Sequence, residues 1–483
     1  MLSSPFAFSS SPKADSYAIS FTDAQQGVIH VEANLSLNDS LLYMSSYGPV
    51  PDRWPQYIRN LRAIDRYGNT VLVTPRDSTA WIVEAGSSRK RITVHYDLEL
   101  THEERSWPGG IDGVAFQRDW GTMLSGRSLF VMNGQEKENL IVSYTLPAGW
   151  QLTTPWTLHA TEADMYTVAS LEQLQEAFLF AGTHEEIALQ RDDFTLLFVL
   201  GGDAVTAQKD QYQAYAGSVL DYYIDLLGGV PQPVPGEQLD KTLVLINEST
   251  QVDGEVIGSN ISMLLNPEAP PQQQLTGWLM FVHEFFHLWN GKTLHFTGNH
   301  CDWFKEGITN YYALKALHHI GLADENGIQA ILNGLFYQRY VNDPGFGELP
   351  PAEAATPERK DQHWGLVYGG GLFAGICLDL QIRHNTQNLH SLDDLMRYFY
   401  QTKGGTTQSI SNQDILNRAN HLGQTDFSNL LEQSVMGATQ VPLQQYLALA
   451  GVATETTNGK LILQHKPDKT PLQKAIWRGF LGQ

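Results

Sequence analysis

Two histidines four residues apart, with a glutamate after the first, are the residues of this chain best suited to chemistry: His283-Glu284-Phe285-Phe286-His287. On an α-helix such a pair lies about 40° apart around the axis and one turn apart along it, so both rings can face one ion. Zinc in a catalytic site takes three protein ligands and leaves a fourth position to water. A third ligand is expected from a neighbouring helix, and Glu306, separated from His287 by eighteen residues, stands in a new helical stretch. One zinc ion per chain, held by His283, His287 and Glu306, is the expectation. Glu284 can then project beside the metal without ligating it. Zinc lowers the pKa of a water it holds to roughly 7, and Glu284 would take that proton and deliver it to the leaving amine. The reaction is metal-assisted hydrolysis of an amide, and the substrate is a peptide. Asn310, four residues after Glu306 on the same helical face, can accept the outer N–H of a ligand histidine and fix its tautomer.

The same pentapeptide also arises in chains that bind no metal, and Phe285, Phe286 and Trp289 would suit an ordinary buried helix. Glu306 at this spacing tips the balance to a metal site. His295, His300, His318, His319 and His363 lie near the motif in sequence and read as surface or supporting residues. Cys301 is set aside because a fourth protein ligand would close the position that catalysis needs. Trp303, Phe304, Tyr311 and Tyr312 read as core packing as readily as substrate recognition.

The elements that must position these residues follow from periodicity. From Tyr17 to about Trp150 apolar residues recur every second position, as in Gly27–Leu37 and Arg91–Leu100, with turn signals such as Tyr67-Gly-Asn69. Residues 156 to about 265 mix helical patterns with strands such as Phe194–Leu200 and Lys241–Ile246, and beyond Gln272 helical spacing dominates. The expected fold is multidomain α+β. It comprises an N-terminal β-sandwich (1–155), a thermolysin-like catalytic domain (156–400) and a C-terminal helical region (401–483).

Composition excludes some classes. A net charge of −21, from 31 basic and 52 acidic residues, argues against a nucleic-acid partner. Two cysteines, Cys301 and Cys377, allow at most one disulfide, so disulfides do not frame the fold. No run approaches about 18 apolar residues, so no membrane span is expected, and the first residues lack a signal-peptide pattern. Compartment and oligomeric state stay open.

The segments His283-Glu-Phe-Phe-His-Leu-Trp-Asn290, Glu306-Gly-Ile-Thr-Asn-Tyr-Tyr312 and Val367-Tyr-Gly-Gly-Gly-Leu-Phe-Ala-Gly-Ile-Cys-Leu-Asp-Leu-Gln-Ile-Arg383 together resemble the glycyl aminopeptidase family of gluzincin metallopeptidases. A fainter likeness continues through Gly437, Pro442, Tyr446 and Ala450-Gly451. The resemblance implies that Tyr368 hydrogen-bonds the oxyanion of the tetrahedral intermediate. The chain also departs from the family pattern. Gly370 stands where relatives carry a lysine, and the loop between His287 and Glu306 is shorter than usual. The family's amine-holding glutamate has its counterpart near Gly258 and Ser259, so Glu255 or Glu248 is the candidate to replace it. The 32 residues after Gly451 are expected to leave no room for the peptide-binding PDZ domain that many relatives append.

The resulting expectation is a zinc aminopeptidase. Two alternatives remain: an endopeptidase with the same zinc chemistry, and a non-catalytic peptide-binding protein on a peptidase scaffold.

Overall fold

The computed structural model describes residues 14–46, 54–84, 91–102, 114–162, 164–237, 239–250, 252–457 and 459–483. The first thirteen residues, on which the reading of the N-terminus rests, lie outside them.

From Ser16 to Gly182 the period-two sequence builds sheets. The antiparallel pair Val28–Ser36 and Arg91–Glu99 lies within an eight-stranded sheet, and along both strands buried and half-buried residues alternate without a break. Ile29, Val31, Ala33 and Leu35 therefore face one way and His30, Glu32 and Asn34 the other, as the pleat requires. Two smaller sheets cover the apolar face. One is three-stranded (Leu41–Tyr43, Ala80–Val83, Val73–Pro75); the other is four-stranded (Gln151–Thr153, Phe178–Gly182, Gly121–Ser125, Phe116–Arg118). Their Leu42, Val83, Leu124 and Leu179 share a core with Ile29, Val31, Tyr96 and Leu98. This is the sandwich that alternation calls for.

The next sheet has five strands: β1 (Glu185–Arg191), β2 (Phe194–Gly201), β3 (Lys241–Glu248), β4 (Asp253–Ile257) and β5 (Asn260–Leu265), in the order β1-β2-β3-β5-β4. β3 pairs in parallel with both β2 and β5, and six of its eight residues are buried, as expected where a strand is covered on both faces. On one face, Val244 and Ile246 meet Val219, Leu220 and Tyr223 of helix α1 (Lys209–Leu227) and Phe281 and Phe285 of helix α2 (Pro271–Phe286). On the other, Leu243, Leu245 and Leu264 pack against Met123, Phe178 and Phe180 of the four-stranded sheet. That sheet thus contributes to two cores, tying the β-rich part to the part that carries α2.

Helices α3 (Asp302–His319) and α4 (Gly371–Asn385) cross behind α2. A Cβ on Gly307 would stand 2.2 Å from the backbone of Gly371, and one on Gly371 would stand 2.0 Å from the carbonyl of Trp303. Only glycine at both positions lets the backbones approach this closely. The chain ends in further helices and a hairpin (Val452–Thr457, Lys460–His465), whose Leu461 and Leu463 join the same core as α3 and α4. The helical stretch Gly365–Asn385 is long and apolar enough to cross a membrane by composition, but 89% of its most apolar window is buried within the fold. Cys301 and Cys377 are both buried free thiols.

Candidate metal centre and cleft

α2 begins at Pro271, whose fixed φ suits the first helical position, and brings Leu279, Val282 and Phe286 to the core. His283 and His287 then share an adjacent side, one turn apart and facing the cavity. After Phe286 the chain kinks through Leu288–Thr293, where Asn290 and Gly291 leave helical backbone angles and bonds run to the fifth residue back: Lys292 N–H to His287 O (3.1 Å) and Leu294 N–H to Trp289 O (2.9 Å). This turn aims the backbone carbonyl of Asn290 at the ring of His287, 3.0 Å from Nδ1. A carbonyl only accepts, so His287 carries its proton on Nδ1. His283 Nδ1 lies 2.8 Å from Oδ1 of Asn310, one turn beyond Glu306 on α3.

With both Nδ1 atoms donating, both Nε2 atoms present bare lone pairs. They lie 3.1 Å from each other, and Glu306 Oε2 lies 3.5 Å from the first and 3.1 Å from the second. Three lone-pair donors this close repel one another unless a cation stands between them. Ligand atoms about 2.0–2.1 Å from a tetrahedral ion are themselves about 3.3 Å apart, so these spacings suit a zinc-sized ion. The chemistry of the donor set fits the group that the sequence implies.

Glu306 is buried, and Lys360 Nζ donates to its other oxygen at 2.7 Å and to Asp302 at 3.0 Å. Burial pushes the Glu306 carboxyl up, but Lys360 and the two histidines more than offset it and hold it well below the usual carboxylate range. Sequence reasoning missed Lys360. Its Nζ lies 5.3 Å from the ring of Tyr368, so an ammonium stands near that tyrosine although Gly370 replaces the family's lysine. Tyr368 itself sits in a second widened turn, Gly365–Gly370, that leads into α4. Its ring stacks on Trp364 at 4.8 Å and lies 6.2 Å from that of His283. Burial, then Glu306, keep its hydroxyl pKa raised, so it stays a donor.

His283, His287, Glu306, Asn310, Trp364 and Tyr368 line one cavity of about 690 Å³, which Glu284 shares. Burial raises the Glu284 carboxyl to about 7; His283 pulls it down, and Glu306 and Glu255 push it up. The far wall is β4, the edge strand of the five-stranded sheet, with Asp253, Gly254, Glu255 and Val256 on the cavity. Glu255 is raised to about 7, first by burial, against the pull of Arg127 at 3.8 Å.

Here the expectation for the amine-holding position needs correction. Gly258 and Ser259 do not border this cavity but a second one, because they form the turn of the β4–β5 hairpin rather than its strand. Gly258 has φ +61, and a Cβ there would meet the carbonyl of Glu176 at 2.3 Å, so the turn explains it. Glu248 also points away and accepts from Ala204 N–H at 3.0 Å. Of the candidates, Glu255 alone lines the cavity with the triad. Its signal was its place in mid-strand, two residues from β4's end, which only the pairing register reveals.

The other histidines lie elsewhere. His363 pairs with Asp343 at 2.8 Å, His319 stacks on Tyr222, and His295 faces Glu237 at 3.7 Å. Cys301 Sγ contacts the carbonyls of Thr297 and Ile410.

An edge strand, two metal-capable histidines, a buried carboxylate beside them and a second carboxyl share one cavity, an arrangement suited to hydrolysis. The peptidase M61 N-terminal domain matches residues 16–183, and the M61 glycyl aminopeptidase domain matches residues 278–368. The chain belongs to the M61 glycyl aminopeptidase family, and it is a peptidase by that membership. No curated protein matches it. Among solved structures it is similar to an aminopeptidase N family protein from Idiomarina loihiensis. The TM-score is 0.78 at 17% identity, over 92% of this chain and 79% of that one, which is a likeness of fold.

Proposed function

We propose that the protein is a zinc aminopeptidase, with His283, His287 and Glu306 as metal ligands, Glu284 as proton carrier, Tyr368 as oxyanion donor and Glu255 as the anchor of the substrate's α-amine. The observation that carries this reading is the convergence of three lone-pair donors on one point of a cavity that also holds Glu255.

A bound zinc ion would supply Lewis acidity and bring water towards deprotonation near neutral pH. The chain's own groups do the rest. β4 leaves one edge unpaired, so an extended peptide can lie along it by strand addition. Glu255 meets the ammonium terminus at one end, and ionises when that charge arrives. Glu284, poised near neutrality, takes a proton from the attacking water and gives it to the departing amine. Tyr368, held protonated, donates to the oxygen on which negative charge develops. Behind Glu255, Arg127 and Glu176 form an ion pair that supports an end wall at the amine side.

The test is a free aminoacyl anilide compared with its N-acetylated form, on zinc-loaded protein with a chelator control. Cleavage of the free substrate alone, abolished by chelator, is expected. Equal cleavage of both establishes the endopeptidase reading instead. Zinc binding without any hydrolysis leaves the peptide-binding reading.

A further inference from the structure

Lys292 follows the metal helix by one widened turn and is held by its own N–H on the carbonyl of His287 at 3.1 Å. It lines the triad's cavity and also a second cavity of about 480 Å³ beside it, so it stands where the two meet. Arg127 lines the second cavity and reaches Glu255 of the first, so Lys292, Arg127 and Glu255 all border the region where the two cavities meet.

The cations around it are engaged. Arg127 pairs with Glu176 and approaches Glu255, Lys305 pairs with Asp302 at 3.2 Å, and Lys360 pairs with Glu306. Lys292 has no ion pair within 4.0 Å and no side-chain hydrogen bond among the described residues, although it is only half exposed. Burial lowers its pKa; Glu237 and Glu176 act against this from a distance, and Lys305 and Arg127 add to it. An ammonium partly withdrawn from water with no carboxylate in contact is costly, and an arriving carboxylate relieves it.

We infer that Lys292 receives a carboxylate of the bound peptide, making this a site for anionic substrates. The inference rests on the aminopeptidase reading for its substrate class. The carboxylate has two sources. With the α-amine on Glu255, an acidic side chain on the first residue can extend to Lys292, which selects N-terminal Asp or Glu. In a dipeptide, the terminal carboxylate is the other source. An ammonium–carboxylate contact of this kind corresponds to about tenfold to a hundredfold in affinity.

The experiment uses zinc-loaded full-length protein and two ratios of kcat/KM. The first compares Glu- with Gln-anilides, which have no terminal carboxylate; the second compares Ala-Ala with Ala-Ala-amide. At least one ratio is expected to favour the carboxylate about tenfold or more. In Lys292→Met that ratio falls to near one, in Lys292→Arg it persists, and in Lys292→Glu it inverts. The first ratio responding identifies the side chain, the second the terminus. Calorimetric binding of L-glutamate against L-glutamine, and of L-alanine against alaninamide, reads the same preferences without turnover. If both ratios are near one in the wild type, or unchanged in Lys292→Met, the inference is overturned while the peptidase reading stands. If nothing is hydrolysed, the aminopeptidase reading fails, and calorimetry alone decides for or against Lys292.

Discussion

Helix α3 carries two buried clusters of charge, and they are built on opposite plans. At its start, Glu306 and Asn310 face His283 and His287. Further along, Tyr312 and Lys315 face Asp393, which also meets Arg383 at 3.4 Å, while Arg383 binds Asp379 at 2.7 Å. In the second cluster every charge has an opposite: Lys315 Nζ holds both oxygens of Asp393 at 2.7 and 2.9 Å, and Asp379 also caps Leu392 N–H at 2.8 Å. Burial pushes the Asp393 carboxyl up, yet Lys315 and Arg383 bring it below the ordinary value. This cluster is complete and has no use for a ligand. In the first, Lys360 and the Nδ1 partners satisfy the outward-facing atoms, while Nε2, Nε2 and Oε2 are left facing one another. A structural network closes its hydrogen bonds; a binding site leaves lone pairs unclosed and aims them at one place.

That contrast makes predictions, strongest first. Glu284→Gln is expected to lower kcat on an aminoacyl anilide by about 10³-fold while zinc content by metal analysis stays at one per chain. Retained turnover would remove Glu284 from the proton transfer. Asp393→Ala leaves Lys315 as a buried uncompensated cation, while Arg383 keeps Asp379, and should cost about 3–5 kcal/mol of stability, seen as a marked fall in Tm. His287→Ala, tested without metal, is expected to lower Tm much less, since it relieves converging lone pairs. If the two variants cost the same, the contrast between the clusters is wrong.

Tyr368→Phe removes one donor at the developing charge and should reduce kcat about 10²-fold with KM little changed; an unchanged kcat assigns the ring to packing on Trp364. Asn310→Ala frees the outer N–H of His283 and is expected to weaken zinc binding by about 10-fold or more in a competitive chelator titration. The smallest effect concerns pH. Glu255 is protonated below its value of about 7 and ionised above it. The substrate's ammonium should therefore bind less well as pH falls through 7, so KM rises severalfold towards pH 6. Glu255→Gln should flatten that rise, and a KM that is flat in the wild type excludes Glu255 as the amine anchor.

Much of this was legible in one dimension. A four-residue step on a helix sets two rings on one side whatever the rest of the fold does, and alternation in Val28–Ser36 specifies a strand with one buried face. The need for a third ligand from a following helix pointed to Glu306, and the family resemblance pointed to Tyr368. Lys360 escaped because it lies 54 residues from its partner Glu306, with no periodicity to betray it. The amine-side position was narrowed only to Glu255, Glu248, Gly258 and Ser259, for another reason: near Gly258 the sequence reads equally well as strand or turn, and one residue of register exchanges the faces of a strand.

Residue types and short spacings by themselves determined that His283 and His287 share one helix side with Glu284 between them, and the alternation of the β-rich part, because helix and strand geometry act over a few residues. Tertiary structure alone decided that Glu255 rather than Gly258 or Ser259 lines the cavity of the triad, that Lys360 neutralises Glu306, and that Lys292, unpaired among the described residues, stands where two cavities meet. Those are matters of which distant segments meet, and they follow from sheet order and from the glycine crossing of α3 and α4, where whole elements pack together.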